Sequence, residues 1–576
     1  MNLKDALRSV IRPHEDDILT PLSTVFGENL DPSNILPEYP RPQMVRDSYI
    51  NLNGIWNYAI TDTNAAPDAF HGEILVPFSP EASLSGVNRQ LLPHEYLWYQ
   101  RIIPVNSDAF AAGRHLILHF GAVDYLCTLY INGQAVLTHE GGYLPFEADI
   151  TSYLQPENNE LLLKVQDFTD TKSQARGKQT LKRGGIFYTA QSGIWQSVWM
   201  EWVNPSYIKK LQVMADHDTR KVTVYATLHN DILHSDIQIT EETVIGEEDF
   251  HPWSPASPYL YDLEISYRGD IVKSYFAFRT YTIEKIDGIP RFCLNHKPYF
   301  LMGVLDQGYW PDGLYTAPSD EALIYDITSM KKLGFNMLRK HIKVECARWY
   351  YHCDRLGMIV CQDMVNGGST YLMPVISYLP TLCPDLASHL KDSHYAALSR
   401  KDEYARIQWE KECLETIETL SFFPSIAIWC PFNEGWGQFD TERITQLIRE
   451  KDRSRLIDSA SGWFDQNCGD FISVHNYFRP LTVPVKKWDQ RAFFLSEYGG
   501  FACHIKDHSS VERIFGYKRY GSLPELRAAY EELIRKSLLP LRKQGLSGAV
   551  FTQLSDVEEE VNGILTYDRK INKLEL

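Results

Sequence analysis

The chain has 576 residues, 44% of them hydrophobic and 23% charged, with a formal net charge of −17. That length exceeds what one core fills, so two to four domains are expected. The acidic balance argues against nucleic acid and anionic membrane as partners, because their phosphates would be repelled.

The first residues carry no apolar stretch of the secretory kind, and no apolar run is long enough to span a bilayer. A cytoplasmic protein is expected. The ten cysteines show no CxxC pairs and no metal-ligand spacing. Cys361 and Cys430 sit inside apolar runs and read as buried free thiols. No structural disulfide, metal site or cofactor is expected.

Residues 1–40 are polar and contain prolines, and read as an N-terminal arm laid over the first domain. Residues 41–203 alternate apolar and polar positions in short stretches, parted by turn signals such as Asn132-Gly133 and Gly141-Gly142. Many short strands at that spacing predict an antiparallel β-sandwich of jelly-roll type. Residues 204–288 carry weaker strand signals and predict a small immunoglobulin-like β-domain, short of a complete sandwich.

From residue 289 to the end the rhythm changes to strand then helix. Apolar, β-rich runs fall at 299–304, 335–339, 358–362, 425–429, 455–459, 471–475, 492–496 and 549–553. Helices are expected over 319–333, with Ser319 as N-cap and Gly334 as stop, and over 344–356. Eight such runs alternating with helices predict a (β/α)8 barrel. Residues 364–400 read as a long irregular loop after the third run, of the kind that shapes a pocket.

Barrel sites sit at the C-terminal ends of the strands. After the fourth run stand Asn433, Glu434 and Trp436, and after the seventh stands Glu497. Two carboxylates facing each other across a barrel mouth suit glycosidic cleavage. One protonates the leaving oxygen, and the other meets the oxocarbenium-like anomeric carbon. A lone glutamate after a strand is incidental as a rule. Two, each in a polar cluster at the end of its run, are not.

The chain resembles glycoside hydrolase family 2, the family of β-galactosidases, β-glucuronidases and β-mannosidases, over roughly residues 45–570. The stretches that carry the resemblance are Leu52–Trp56, Trp98–Arg101, 119–151, 193–203, 254–265, 276–283, 292–304 and the motifs around Glu434 and Glu497. The resemblance implies a retaining exo-β-glycosidase with Glu434 as acid/base and Glu497 as nucleophile. It implies that Asn433 bonds the sugar 2-hydroxyl, that Arg339 orients the nucleophile and that Tyr477 contacts it. His341 and His475 are expected to orient their neighbours rather than carry protons. Family habit also points to a homo-oligomer.

The sugar is less constrained. The first run is followed by Asp306 and Gln307, where many relatives show Asn-Arg/Lys-His-Glu. Both residues are candidates to touch hydroxyls, as is Gln553 after the eighth run. Trp436 and Trp463 could each stack on a sugar face, or pack like Trp429. Glu560 stands near the place where β-glucuronidases hold the sugar carboxylate, and a glutamate there would repel it. A neutral sugar, a β-galactoside first, is therefore expected. β-Mannoside, β-glucoside, α-L-arabinopyranoside and β-glucuronide remain alternatives, and a non-catalytic sugar-binding protein is the reading from another class.

Overall fold

The computed structural model describes residues 18–105, 107–233, 235–483, 490–515 and 517–575. The first 17 residues of the expected arm lie outside the described residues.

A six-stranded antiparallel sheet runs Gly72–Val76, Gly54–Thr61, Tyr96–Ile103, Asn159–Gln166, Leu126–Ile131 and Gln134–Glu140 in spatial order. A four-stranded sheet runs Tyr49–Asn51, Val198–Val203, His115–Phe120 and Phe146–Asp149. The period-2 pattern decides which face goes inward. In Asn159–Gln166 every second residue is buried, so Leu161, Leu163 and Val165 point into the space between the sheets. There they meet Leu116, Leu118, Phe120, Val198 and Met200 from the smaller sheet. Two small antiparallel sheets follow, of three strands (Tyr207–Ala215, Lys221–Asn230, Ser235–Val244) and two (Tyr261–Tyr267, Asp270–Phe276).

The barrel is present with all eight expected strands. They are β1 (Leu301–Asp306), β2 (Met337–Lys340), β3 (Ile359–Asp363), β4 (Ile426–Cys430), β5 (Leu456–Ile457), β6 (Phe471–Asn476), β7 (Ala492–Gly499) and β8 (Leu546–Thr552). They pair in parallel in the order β5-β4-β3-β2-β1-β8-β7-β6. The two end strands of that order are tied by the Asp470 N–H on Ile457 O at 2.8 Å and by Ser473 Oγ on Asp458 at 2.9 Å. β3 and β4 are buried at every position. Burial on both faces is why these strands read as continuous apolar runs.

The first barrel helix, α1 (Asp320–Lys332), begins where its cap predicts: Ser319 Oγ accepts the Ala322 N–H at 3.2 Å. Gly334, at φ +89°, ends it. The second, α2 (Ala347–Leu356), starts three residues later than expected. Lys343 and Glu345 are held out of the helix, because Lys343 Nζ binds Gly308 O, Tyr315 O and Glu345, all at 2.7–2.8 Å. The 364–400 stretch is not wholly irregular. It contains short helical turns at Pro374–Tyr378, Leu379–Leu382 and Pro384–Ala387.

The arm also departs from expectation. It bridges sandwich and barrel instead of covering the sandwich alone. Thr24 binds Asp312 of the β1 loop through both its N–H and its hydroxyl, each at 2.8 Å. Ile35 packs with Leu75, Phe78 and Leu314.

Sandwich and barrel are docked at the barrel mouth. The Arg176 and Gly177 N–H groups bind Asn366 O at 3.0 and 3.1 Å. Three consecutive acids after β8 receive the other edge. Glu558 accepts the Thr189 N–H at 3.0 Å, Glu559 accepts the Gly185 N–H at 2.9 Å, and Glu560 accepts the Tyr188 hydroxyl. Glu559→Ala leaves a donor without its acceptor at this junction. A loss of about 1–3 kcal/mol is expected, the usual cost of such a group. Thermal denaturation checks it, and an unchanged midpoint would mean the acid run does not hold the domains.

Candidate active site

Arg339, at the end of β2 and 0% exposed, organises the mouth of the barrel. Its Nε donates to Asp363 Oδ1 at the end of β3 (2.9 Å). Its Nη1 donates to Glu497 Oε1 (3.2 Å) and to Ser496 O (3.1 Å), both on β7. Its Nη2 donates to Asn433 Oδ1 in the turn after β4 (2.9 Å). A planar fork with five N–H groups fixes such a set at once, which a lysine could not do.

Glu434 sits in the turn Asn433–Gly435 that follows β4. Its N–H binds Ser461 O at 2.9 Å and its φ is +50°. A non-glycine residue rarely adopts that region, and such outliers gather at functional sites. Glu434 Oε1 lies 2.8 Å from His475 Nδ1, whose other ring nitrogen is 3.0 Å from Ser461 Oγ. Burial pushes His475 down to about 4, so near neutral pH it is an uncharged ring. Burial likewise pushes His341 down to about 3, and its Nδ1 lies 2.8 Å from Asp363 Oδ2. Each histidine thus contacts a carboxylate, His341 that of Asp363 and His475 that of Glu434.

Glu497 lies inside β7 instead of just beyond it, because the ladders to β6 and β8 continue past Ser496. Its second oxygen accepts the Tyr477 hydroxyl, which also lies 3.0 Å from Thr552 Oγ1. Tyr477 stacks on Tyr517 at 3.9 Å between ring centroids.

The two carboxylates are close but unlike. One oxygen of each lies within 4.8 Å of the other, with His475 Nδ1 between them. Burial pushes Glu434 up to about 7, opposed in part by the charges of Lys178 and Arg339. Burial and the neighbouring Glu434 carboxyl also raise Glu497, opposed by Arg339 and by the Tyr477 hydroxyl. Near neutral pH Glu434 can therefore hold a proton while Glu497 keeps two donors aimed at its charge. Glu434, His475 and Glu497 have the spacing of a metal site. The Arg339 guanidinium already occupies the cationic position beside Glu497, so a metal fits poorly there.

Other predicted residues fall less directly. Asp306 is held by Lys340 Nζ and by the Gly308 N–H, at 2.7 and 2.8 Å. Gln307 donates to Gln553 at 2.7 Å, and Gln553 to Asn562 at 3.0 Å. Asn562 in turn reaches Glu560, which is 1% exposed. Trp436 is buried against Phe187 and Tyr371 and shapes the turn under Glu434. Trp463 is half-buried with its edge toward His475. Trp429 is a core residue bonded to Asp452. Sequence reasoning missed Asp363, although it ends the third apolar run as a carboxylate, the same signal that singled out the other two. It also missed Tyr517, Ser461 and Lys178, which no local pattern marks.

Two family models match this chain: the sugar binding domain of glycosyl hydrolases family 2 over residues 88–201, and the TIM barrel domain of the same family over residues 286–499. The chain belongs to glycoside hydrolase family 2. Among family-2 relatives, a β-galactosidase of Thermoanaerobacter pseudethanolicus is 22% identical over 521 residues, covering 82% of this chain and 64% of the relative. The chain thus spans under two thirds of that enzyme's length. A β-glucuronidase of Streptococcus agalactiae is 22% identical over 439 residues, covering 69% of this chain and 68% of the relative. In fold, a solved β-D-glucuronidase of Dictyoglomus thermophilum superposes with a TM-score of 0.69 at 17% identity, covering 93% of this chain and 97% of that one. Among the described residues no helix is long and apolar enough to cross a membrane.

Proposed function

We propose that this family-2 chain is a retaining exo-β-glycosidase acting on terminal neutral sugars, β-galactosides first. The observation that carries the reading is the pair of carboxylates, within 4.8 Å at their nearer oxygens and unequally surrounded. Retaining enzymes hold their carboxyls at roughly 5–5.5 Å, close enough for direct attack, whereas inverting ones leave room for a water.

In the first step Glu497 attacks the anomeric carbon while Glu434 gives its proton to the leaving oxygen. Arg339 and Tyr477 hold Glu497 in line. Asn433, fixed by Arg339, is left with its amide N–H groups for the sugar 2-hydroxyl. In the second step Glu434, now ionised, takes a proton from water, which attacks the glycosyl ester and frees Glu497.

The preference for a neutral sugar is supported by the buried Glu560 carboxylate, which makes the surroundings unfavourable to a second carboxylate. Relatives named β-galactosidase support the galactoside, and relatives named β-glucuronidase supply the competing substrate for the test. Hydrolysis of a panel of nitrophenyl glycosides, with NMR of the first-formed sugar, checks both parts. The highest kcat/KM is expected on the β-galactoside, with the β-anomer released first. Release of the α-anomer would sink the retaining mechanism, and no turnover of any member would sink the enzymatic reading.

A further inference from the structure

One charged group at the barrel mouth comes from the sandwich and, among the described residues, has a distant counter-charge but no hydrogen-bond acceptor. Gly177 crosses the mouth at φ +63°, where an added Cβ would stand 2.9 Å from both Ile342 O and the Tyr315 hydroxyl. Only glycine permits that approach. It places the next residue, Lys178, against the site. Lys178 is 6% exposed, and its backbone carbonyl accepts the Tyr188 N–H at 3.0 Å.

Among the described residues no acceptor lies within hydrogen-bond distance of Lys178 Nζ. The nearest carboxylate oxygen is Glu560 Oε2 at 3.9 Å, and that oxygen already accepts from the Tyr188 hydroxyl. The ammonium also lies 5.3 Å from the centre of the Tyr188 ring. The approach of Gly177 to Ile342 O and the Tyr315 hydroxyl sets Lys178 beside the β2 end of the mouth, where its charge is felt by Glu434 and His341. An ammonium carries three donors, and the Lys178 nitrogen is not among the fully buried unpaired atoms, so its donors reach open space. The protein leaves this one unmet at the point where its two domains enclose the site.

We propose that Lys178 is a specificity-determining residue that donates to a hydroxyl of the bound neutral sugar, with Glu560 behind it as counter-charge. The role rests on the glycosidase reading and extends it to one group of the substrate. A sugar carboxylate at the same ammonium would stand close to the Glu560 charge and be repelled. A hydroxyl accepts from the ammonium without that penalty.

The test uses Lys178→Met, which keeps the length of the chain over Tyr188, and the monodeoxy analogues of the preferred glycoside. Wild type is expected to lose about 100-fold in kcat/KM on removal of one particular hydroxyl, and Lys178→Met to lose about as much on the parent glycoside. On that deoxy analogue the two proteins should then differ less than threefold. Lys178→Arg, which keeps the charge, is the second variant should Lys178→Met not fold, and its loss should fall on the same hydroxyl. Equal losses on every analogue, or none, overturn the proposal. A wild type that prefers a uronide, with the variant's loss confined to uronides, also overturns it by making Lys178 a carboxylate receptor. If wild type turns over nothing, the glycosidase reading falls separately. The same deoxy series is then read by calorimetric binding of the free sugars, and absence of coupling there overturns the role of Lys178.

Discussion

Glu497→Ala should lower kcat by about four orders of magnitude or more on every glycoside that is turned over. The loss should fall on good and poor leaving groups alike, because every leaving group departs in the step in which Glu497 attacks. The fold should survive. Arg339 keeps Asp363, Ser496 and Asn433 as acceptors, at 2.9, 3.1 and 2.9 Å, so its charge is not stranded. The volume left by the carboxylate borders Arg339 and Tyr477 and can admit a small anion. Added azide or formate is therefore expected to restore part of the rate and to give a product of inverted anomeric configuration. Steady-state kinetics, NMR of the product and a melting curve check the three statements. Activity within tenfold of wild type, in a folded protein, would remove Glu497 from the nucleophile's place.

The place of Glu497 follows from how the barrel is encoded. Its strands are buried on both sides, so they leave long apolar runs in the chain. The residue that ends such a run must stand at the mouth. Asp363 follows from that rule, and Arg339 from the same rule at β2; Glu434 stands in the turn just beyond β4, and Glu497 follows the apolar part of β7. What the rule cannot supply is the partner of each group. Asp306 also ends a run and looks available to a substrate, yet Lys340 of the neighbouring strand holds it at 2.7 Å. Glu560 reads as a charge facing the sugar, yet the Tyr188 hydroxyl covers it from another domain. Lys178 is invisible to a reading of the barrel because it belongs to the sandwich. The site wall is made of pairings across hundreds of residues, and no local periodicity records those.

The arm and the 364–400 stretch fail for a related reason. Short helical turns and isolated hydrogen bonds such as Thr24 to Asp312 need only a few residues, too few to build a periodic signal. α2 shows a milder form of the same limit. Its start is set by Lys343, whose ammonium binds Gly308 O and Tyr315 O at 2.8 Å, tertiary contacts that override helix propensity over 344–346.

Glu434→Ala is expected to separate substrates by their leaving groups. An alkyl or sugar leaving oxygen needs its proton early, so kcat/KM on such glycosides should fall about 10²–10⁴-fold, the usual worth of a positioned acid. A nitrophenolate leaves without protonation, so its glycosylation step should change little. Its turnover should instead slow at hydrolysis of the glycosyl ester, where Glu434 acts as base, and the covalent intermediate should accumulate. The pH dependence gives the same group a second signature. Burial raises Glu434 to about 7, and the acid form is the one that donates. Activity of wild type on an unactivated glycoside should therefore hold below pH 7 and fall as pH rises through it. The fall at low pH belongs to protonation of Glu497, since the attacking form is the ionised one. Because the two carboxyls interact, both limbs report the pair more than either residue alone. In Glu434→Ala the high-pH limb should vanish, while the low-pH limb stays close to its wild-type place, since Glu434 is already protonated and uncharged where Glu497 titrates. A high-pH limb that persists unchanged in the variant, or equal losses on good and poor leaving groups, would place the proton donor elsewhere. The nearest other titrating group at the mouth is His475, which burial holds at about 4 and which therefore cannot produce a limb near neutrality.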